Sequence, residues 1–434
     1  MMELTHLLDR TVSFEAGLIT YLSEVPTQVS EAPVHIYIAE YQDPTVLCTT
    51  VVERLPANSR QASGAGLNRN EAIWSTLGEA VERYAAANWM HLEQLTARAD
   101  EVAGGAHFLS NAIFFNDADY SDPDFEFARP DLDKIHHWLK GESLATGKPY
   151  HVPASCACMN FGVKRKHEIF DRSYSTGLAS HTTYEAAIYS GLCEVLERDG
   201  YCSYWLSKSA PDMLSADLVA KLVPQRLSRE LDRLDLNLRV FALRTDVEVP
   251  IIASCIQISD GGIATGASCN LDLADAVTKA VVESMHTYNW CLDMKRLGTS
   301  IENKLEIDDF PDHVSYYLNK TRSDSYLWWV DEPNVLETVP TEWLTSTGNS
   351  QEKLNLIVKQ VIKAGFEPVW LDLTSADISE LGFMVIKAFV AGMQPLSAGY
   401  TSPQTDPKRI VQFAAYRDIN WSGQIELDPP HAFP

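Results

Sequence analysis

The sequence predicts an α+β or α/β fold in which long helices pack on β-sheets, and three observations support this prediction. Three segments keep apolar residues at helical spacing over about five turns each. Segments rich in β-branched and aromatic residues lie between these helices. No low-complexity linker divides the 434 residues. We therefore predict one large domain, residues 61–434, with a strand-containing N-terminal extension, residues 1–60.

Charge and composition narrow the class of protein. The chain has 35 Lys and Arg against 59 Asp and Glu, a formal net charge of −24. Nucleic-acid and anionic-membrane binders need a basic face, so neither partner is expected. The N-terminus lacks a signal-peptide pattern, and no apolar run is long enough to span a bilayer. With no secretory signal, the 8 cysteines indicate reduced thiols, and we expect the cytoplasm.

The N-terminal third predicts strands followed by one long helix. Residues 35–41 and 47–55 favour strands because β-branched and aromatic side chains cluster there. Residues 68–70 offer helix caps, and residues 71–95 keep apolar side chains at helical spacing. Many turn-forming residues then follow. We expect residues 100–150 to form a loop-rich surface excursion.

The rest of the chain predicts two further long helices with strands between and after them. The second helix begins near Thr182 and runs to Leu206, and the third runs from about Asp272 to Met294. A later helix ends at Gly365. The remaining segments predict strands at 236–243, 250–259, 368–374 and 383–392.

The three long helices share an internal repeat. In each, a glycine-containing lead precedes an acidic residue followed by Ala, and a Glu follows eight or nine residues later. The copies are Gly66, Glu71 and Glu79; Gly177, Glu185 and Glu194; and Gly266, Asp275 and Glu283. The first two continue as Glu-x-x-Glu-Arg, namely Glu79, Glu82 and Arg83, then Glu194, Glu197 and Arg198. The third continues from Glu283 to His286.

Each Glu-x-x-Glu-Arg motif places two carboxylates and a guanidinium on one helix face. Two such faces brought together would gather four carboxylates, which repel unless a cation joins them. Oxygen ligands without Cys or His suit Mg²⁺, which shares its shell with waters and phosphate oxygens, and the arginines could bind those phosphates. The alternative is a solvated helix face with ordinary ion pairs. Two copies set among apolar residues favour the functional interpretation.

These motifs resemble the YcaO-domain family, in particular the stand-alone cyclodehydratase subunit of thiazole/oxazole-modified peptide biosynthesis. The resemblance covers roughly residues 60–434. It rests on residues 75–83 (Ser-x-x-x-Glu-x-x-Glu-Arg), residues 175–199, the late strand region at 372–396 and the proline-rich tail at 430–434.

The resemblance implies a YcaO-type fold and an enzyme that uses ATP and Mg²⁺. In such cyclodehydratases a Cys, Ser or Thr side chain of a ribosomal precursor peptide adds to the preceding carbonyl. ATP phosphorylates the resulting oxygen, and phosphate leaves to give a thiazoline or oxazoline. The implied ATP-binding residues are Ser75, Glu79, Glu82, Arg83, Glu194, Glu197 and Arg198. The implied metal ligands are Glu79, Glu82, Glu194, Glu197 and Glu185, and the catalytic candidates are His431 and the C-terminal carboxylate of Pro434.

The chain departs from the family pattern at several positions. Ala65 stands where many members have a lysine between two glycines, and Ala186 stands where Glu is common. Glu185 lies one residue earlier, about 100° around the helix. His286 and Tyr288 replace a common Gln and Arg, and Ala432 replaces a tail proline. These departures leave both Glu-x-x-Glu-Arg motifs intact.

The resemblance also implies partners and leaves alternatives open. The expected partners are the precursor peptide of a bacteriocin-like natural product and a leader-binding protein resembling ubiquitin-activating enzymes. A flavin-dependent azoline dehydrogenase and a homodimer are also compatible with the family. One alternative is a YcaO enzyme that makes thioamides or amidines. Another is a YcaO-fold scaffold without ATP turnover, suggested by Ala65, Ala186 and Tyr288.

Overall fold

The computed structural model describes residues 4–44, 60–159, 161, 166–234, 236–329, 333–344 and 348–434. The predicted strand at 47–55 lies outside the described residues. The chain forms two compact units. The first comprises residues 1–25, 35–195 and 349–393, and the second comprises residues 26–34, 196–348 and 394–434. The predicted domain boundary at residue 60 stays a prediction.

The described residues form thirteen α-helices. They are α1 (Leu4–Thr11), α2 (Arg69–Ala87), α3 (Gly105–Asn111), α4 (Ala154–Ala157), α5 (Tyr184–Ser207), α6 (Ala216–Leu222), α7 (Gln225–Leu234), α8 (Leu273–Leu297), α9 (Phe310–Tyr317), α10 (Lys320–Ser325), α11 (Ser350–Lys363), α12 (Ala376–Glu380) and α13 (Pro407–Arg417).

The same residues form fourteen β-strands. They are β1 (Ile19–Val25), β2 (His35–Tyr41), β3 (Gln61–Gly66), β4 (Gln94–Arg98), β5 (Ile135–Ser143), β6 (Pro149–Pro153), β7 (Leu178–His181), β8 (Asp212–Leu214), β9 (Asn237–Ala242), β10 (Ile251–Gln257), β11 (Ile263–Cys269), β12 (Val335–Leu336), β13 (Pro368–Asp372) and β14 (Met384–Val390).

The first unit contains two sheets. One has the strand order β1-β2-β3, and the other has the order β4-β5-β13-β14-β7, with β6 paired to β5. The described strand pairs of both sheets are antiparallel. Helix α2 packs on β3, β2 and β7 through an apolar side that includes Leu77, Val81 and Tyr84. Burial of this side fixes which face of α2 is left for its charged residues.

The second unit contains one five-stranded sheet, in the order β11-β10-β9-β8-β12. Every residue of β11 is buried, and α8 packs on β10 and β11. The Ser254 hydroxyl on β10 donates a 2.7 Å hydrogen bond to the Ala280 carbonyl of α8. Asp272 caps the start of α8, and Gly298, with φ of 69°, ends it. Sheet and helix therefore form the core of this unit.

The structure confirms the predicted fold class and corrects two local predictions. The first long helix ends at Ala87, not at residue 95, because Asn88 caps its C-terminus and residues 94–98 pair with β5 as strand β4. Residues 100–150 were predicted to be loop-rich but contain α3, β5 and the start of β6. Strand β5 carries histidines among its apolar residues, so its strand character depends on pairing with β4, β6 and β13.

Within the described ranges, no helix is both long enough and apolar enough to cross a bilayer.

Candidate functional site

The helix that carries the first Glu-x-x-Glu-Arg motif lies directly against strand β3. A Cβ atom on Gly64 would come within 2.4 Å of the Thr76 backbone nitrogen, and one on Gly66 within 2.6 Å of the Ala72 backbone nitrogen. Only glycine permits this approach. The glycine lead of the repeat therefore brings the backbone of the strand within reach of the acidic side chains on the helix.

Glu79 joins α2 to this strand. Its carboxylate accepts a 3.1 Å hydrogen bond from the Ser63 backbone nitrogen of β3. Arg83, one turn later, forms a 2.6 Å ion pair with Glu79 and donates a 3.1 Å hydrogen bond to the Gln61 carbonyl. Burial raises the pKa of Glu79, while Arg83 and the Ser63 nitrogen oppose the increase and the charge of Glu194 adds to it. The Arg83 Nε is buried and finds no hydrogen-bond partner among the described residues.

Glu82 contacts a different strand. Its carboxylate accepts a 2.7 Å hydrogen bond from the Ser180 backbone nitrogen of β7, and the Ser180 hydroxyl donates a 3.2 Å bond to the Gly78 carbonyl. Burial raises the pKa of Glu82 to about 8; the Ser180 hydrogen bond opposes this, and the charges of Glu194 and Glu79 add to it. Like charges destabilise one another unless a proton or a cation compensates them. The first unit therefore gathers three carboxylates, those of Glu79, Glu82 and Glu194.

The second motif repeats this arrangement on α5. Glu194 accepts a 3.0 Å hydrogen bond from the Gly177 backbone nitrogen, which immediately precedes strand β7. A Cβ atom on Gly191 would come within 2.6 Å of the Gly177 carbonyl oxygen, so strand and helix again approach closely. Each first glutamate of a motif therefore bonds the backbone that leads into its own helix.

The second unit contains the end of this motif and the third copy of the repeat. Glu197 accepts a 3.2 Å hydrogen bond from the Cys269 backbone nitrogen of β11, and Glu283 accepts a 2.8 Å bond from the Ala267 nitrogen of the same strand. The Arg198 guanidinium carbon lies 5.9 Å from the centre of the Phe310 ring and 5.8 Å from that of Phe433. Arg198 therefore adjoins the C-terminal tail.

Two other predicted residues lie on the same helices as the motif glutamates, Ser75 on α2 and Glu185 on α5. Ser75 is exposed on α2, four residues before Glu79, and so on the same helix face. Glu185 lies in the first turn of α5, nine residues before Glu194. Nine residues are about two and a half turns, so Glu185 projects from the opposite side of the helix. Helix geometry therefore gives no support to Glu185 as a ligand alongside Glu194.

The tail residues predicted to be catalytic belong to the second unit. Ala432 and Phe433 are almost fully buried, and Pro434 is partly exposed. The His431 Nε2 lies 2.9 Å from the Ser397 carbonyl oxygen, and burial lowers the pKa of His431 well below its usual value. His431 is therefore neutral at pH 7.

The sequence analysis missed the partners of these carboxylates. Each motif glutamate accepts a hydrogen bond from a backbone nitrogen in a strand or directly before one, and no side-chain pattern marks such a nitrogen. The only available signal was the glycine-containing lead that precedes the first glutamate in each copy of the repeat.

A comparison with protein-family models decides the family of this chain. Residues 63–394, more than half of the sequence, match the model described as YcaO cyclodehydratase, ATP- and Mg²⁺-binding. The chain belongs to the YcaO family. ATP and Mg²⁺ are the cofactors of this family.

Solved structures share the fold of this chain, and a curated protein resembles its sequence. A heterocyclase in complex with substrate and cofactor superposes with a TM-score of 0.77 at 19% identity, over 99% of this chain and 57% of that protein. The chain thus spans little more than half of that heterocyclase. YcaO from Methanopyrus kandleri, bound with AMPPCP and Mg²⁺, gives 0.61 at 20% identity over 90% of each chain. An uncharacterised protein of Methanothermobacter thermautotrophicus is 23% identical over 80% of this chain and 83% of its own.

The residues present fit the cofactors of the YcaO family. The donors are carboxylate oxygens, as Mg²⁺ prefers, and their mutual repulsion is relieved by a cation. Within the described part of the chain, no three His, Cys, Asp or Glu side chains are grouped so that they could hold a metal ion by themselves. Mg²⁺ bound through one or two carboxylates keeps waters and takes oxygens from phosphate, so an open arrangement suits Mg²⁺ with a nucleotide.

Proposed function

We propose that this YcaO protein is the ATP- and Mg²⁺-dependent cyclodehydratase subunit that converts Cys, Ser or Thr of a ribosomal precursor peptide into thiazoline or oxazoline. The observation that carries the proposal is the group of Glu79, Glu82 and Glu194 in the first unit. Each carboxylate accepts a hydrogen bond from a backbone nitrogen in a strand or directly before one, and burial with the neighbouring charges raises the pKa of Glu82 to about 8. Such a group is poised to bind a cation.

In the proposed reaction, bound ATP would supply the phosphoryl group that turns the former amide oxygen into a leaving group, and Mg²⁺ would neutralise the charge of the phosphates. The strand nitrogens hold the carboxylates in place before binding, so little reorganisation accompanies the reaction. Arg83 and Arg198 would orient phosphate oxygens. The C-terminal carboxylate of Pro434 would accept the proton that the attacking thiol or hydroxyl of the substrate releases. Since His431 is buried and neutral, its role would be to hold the tail.

The proposal includes partners and a compartment. The substrate would be a precursor peptide delivered by a leader-binding protein resembling ubiquitin-activating enzymes. A flavin-dependent dehydrogenase would then oxidise azoline to azole. All seven cysteines in the described ranges are free and buried, which is consistent with a reducing cytoplasm.

The test is reconstitution of the full chain with its precursor peptide and leader-binding partner, followed by mass spectrometry and phosphate release. We expect one water lost for each ring formed, with ATP consumed. Glu82→Gln and Glu197→Gln should each lower turnover about a hundredfold or more while leaving the fold intact. Glu93→Gln, an exposed position beyond α2, is the matched control and should retain turnover.

Other outcomes would contradict the proposal in distinguishable ways. Replacement of oxygen by sulfur in the peptide would show thioamide formation instead. Ring closure by an amide nitrogen of the substrate would show amidine formation. Absence of ATP consumption with every component present would favour a scaffold. Full turnover in Glu82→Gln or Glu197→Gln would show that the carboxylate assignment is wrong.

A further inference from the structure

Three successive backbone carbonyls of the C-terminal tail lie within hydrogen-bond distance of polar side chains elsewhere in the second unit. The Tyr317 hydroxyl donates to the Pro430 carbonyl. The His313 Nδ1 lies 2.8 Å from the His431 carbonyl oxygen, and the Thr265 hydroxyl donates a 2.7 Å bond to the Ala432 carbonyl. Side-chain donors on consecutive carbonyls fix both the position and the register of an extended segment.

The donors come from two rigid elements. His313 and Tyr317 are four residues apart on α9, so they share one face of that helix, and both are buried. Asp309 and Asp312 form a capping box that fixes the start of α9. Thr265 lies in the fully buried strand β11. These three residues, hereafter the tail clamp, therefore stand on elements that do not belong to the tail.

His313 makes further contacts that fix its ring. The Nε2 lies 2.7 Å from the Ala398 carbonyl oxygen, and the ring stacks on that of His431 with centroids 3.7 Å apart. Burial lowers the pKa of His313, although the two carbonyls oppose the decrease. The imidazole is thus enclosed by carbonyls on its edges and by a tail residue on its face.

The clamp leads the chain end to a motif arginine. Beyond the three clamped carbonyls, the Phe433 ring packs edge-on against Tyr201, with centroids 4.9 Å apart. The same ring lies 5.8 Å from the Arg198 guanidinium carbon. Pro434 follows directly and is partly exposed. The clamped residues therefore fix the position from which Pro434 extends.

We propose that Thr265, His313 and Tyr317 are positioning residues that hold the C-terminal tail so that the Pro434 carboxylate is presented beside Arg198. Their catalytic effect rests on the function proposed above, whereas their effect on the tail does not. A buried hydroxyl or imidazole that bonds an otherwise unpaired carbonyl contributes most of its stabilisation by avoiding that unpaired group. Removing two donors should thus loosen the tail while leaving the nucleotide site unchanged.

The first test is hydrogen exchange of the full-length chain, read by mass spectrometry over residues 424–434. The variant is Thr265→Val with Tyr317→Phe, which removes two donors and keeps side-chain shape. The control is Thr245→Val with Ser315→Ala. Thr245 bonds the Val247 carbonyl of its own loop, and the buried Ser315 hydroxyl has no hydrogen-bond partner among the described residues. If the double variant folds poorly, Tyr317→Phe alone serves the same test.

We expect the amides of His431, Ala432 and Phe433 to exchange about tenfold faster in the clamp variant, since two hydrogen bonds of modest net strength are lost. The control should exchange as the wild type does. Equal exchange rates of these amides in the clamp variant and the wild type would contradict the proposal that the tail clamp holds the tail.

The second test is steady-state turnover in the reconstituted assay. Positioning residues should lower kcat about tenfold and leave the KM for ATP unchanged, because ground-state nucleotide binding does not involve them. A higher KM with unchanged kcat, or no change in either, would overturn the positioning role. A wild-type chain without cyclodehydratase activity would contradict the proposed function, and hydrogen exchange would still decide whether the clamp exists.

Discussion

The first copy of the repeat pairs strand β3 with helix α2, and the third pairs β11 with α8. These two pairs share one contact but differ at the helix position three residues later. In both, the first glutamate accepts a hydrogen bond from the preceding strand: Glu79 from Ser63, and Glu283 from Ala267. Three residues later the first pair has Glu82, bonded to strand β7, whereas the third has His286. Burial raises the pKa of Glu82 to about 8 and lowers that of His286 to about 4.

This difference distinguishes the structural role of the first glutamate from the role of the second. A contact that recurs where no Glu-x-x-Glu-Arg motif exists serves to join helix and strand. The second glutamate is present only in the first two copies and adds a further negative charge to each motif. We propose that Glu82 and Glu197 bind the ligand, whereas Glu79 and Glu194 would also join helix and strand.

The largest effect is expected where strand and helix approach most closely. Gly64→Ala and Gly266→Ala would bring a Cβ within 2.4 Å of the Thr76 nitrogen and 2.5 Å of the Ala280 oxygen, respectively. Backbone must shift in both cases, and we expect a loss of about 3 kcal/mol of unfolding free energy in each. Urea unfolding measures it, with Gly399→Ala as the control because its nearest atoms lie 4.0 Å away. Tolerance at one glycine and not at the other would show that the repeats are not equivalent.

The shared glutamate contact offers a sharper comparison. Glu79→Ala and Glu283→Ala each remove the acceptor of a strand nitrogen, so each should cost about 2 kcal/mol of stability. Only Glu79→Ala should also weaken nucleotide affinity, which calorimetry with Mg²⁺ and ATP would measure. Equal loss of affinity in both variants would mean that the third pair belongs to the nucleotide site.

The raised pKa of Glu82 predicts how the stability of the chain changes with pH. In the metal-free chain the pKa of Glu82 rises from 4.5 when unfolded to about 8 when folded. The folded state therefore binds more protons between these values, and stability falls as pH rises through them. Because the carboxylate is partly open to solvent, we expect about 2 kcal/mol, less than the full shift implies. Glu82→Gln should remove this fall between pH 5 and pH 8, in unfolding measured with EDTA; an identical fall would contradict the account.

His286 at the corresponding position of the third pair should show the opposite sign. Its pKa falls from 6.5 when unfolded to about 4 when folded, so the unfolded state binds more protons in this interval. Stability is then complete above pH 6.5 and decreases as pH falls through the interval. The partly accessible ring should contribute about 1 kcal/mol. Unfolding of His286→Gln at pH 5 and pH 7 would measure the difference, and a wild-type slope in the variant would contradict it.

The sequence predicted elements whose signals are local. Strand β2 coincides with the predicted 35–41, and α8 begins directly after Asp272, close to the predicted start of the third helix. The predicted end of the first long helix was wrong. Residues 88–95 keep apolar side chains at helical spacing, but the pairing of β4 with β5 overrides this local signal. The tail clamp could not be predicted, since Thr265 and Ala432 are 167 residues apart. The carboxylate group was anticipated from the repeat, but its strand nitrogens carry no side-chain signal.

We propose above that the Glu-x-x-Glu-Arg carboxylates form a nucleotide and Mg²⁺ site. Isothermal titration of Mg²⁺ and ATP into the full-length chain, its Glu197→Gln variant and the Glu93→Gln control tests this claim most directly, with and without the leader-binding partner. We predict binding by the wild type and the control that is lost in Glu197→Gln. Equal binding in the variant, or absence of binding by the wild type under every condition, would contradict the claim.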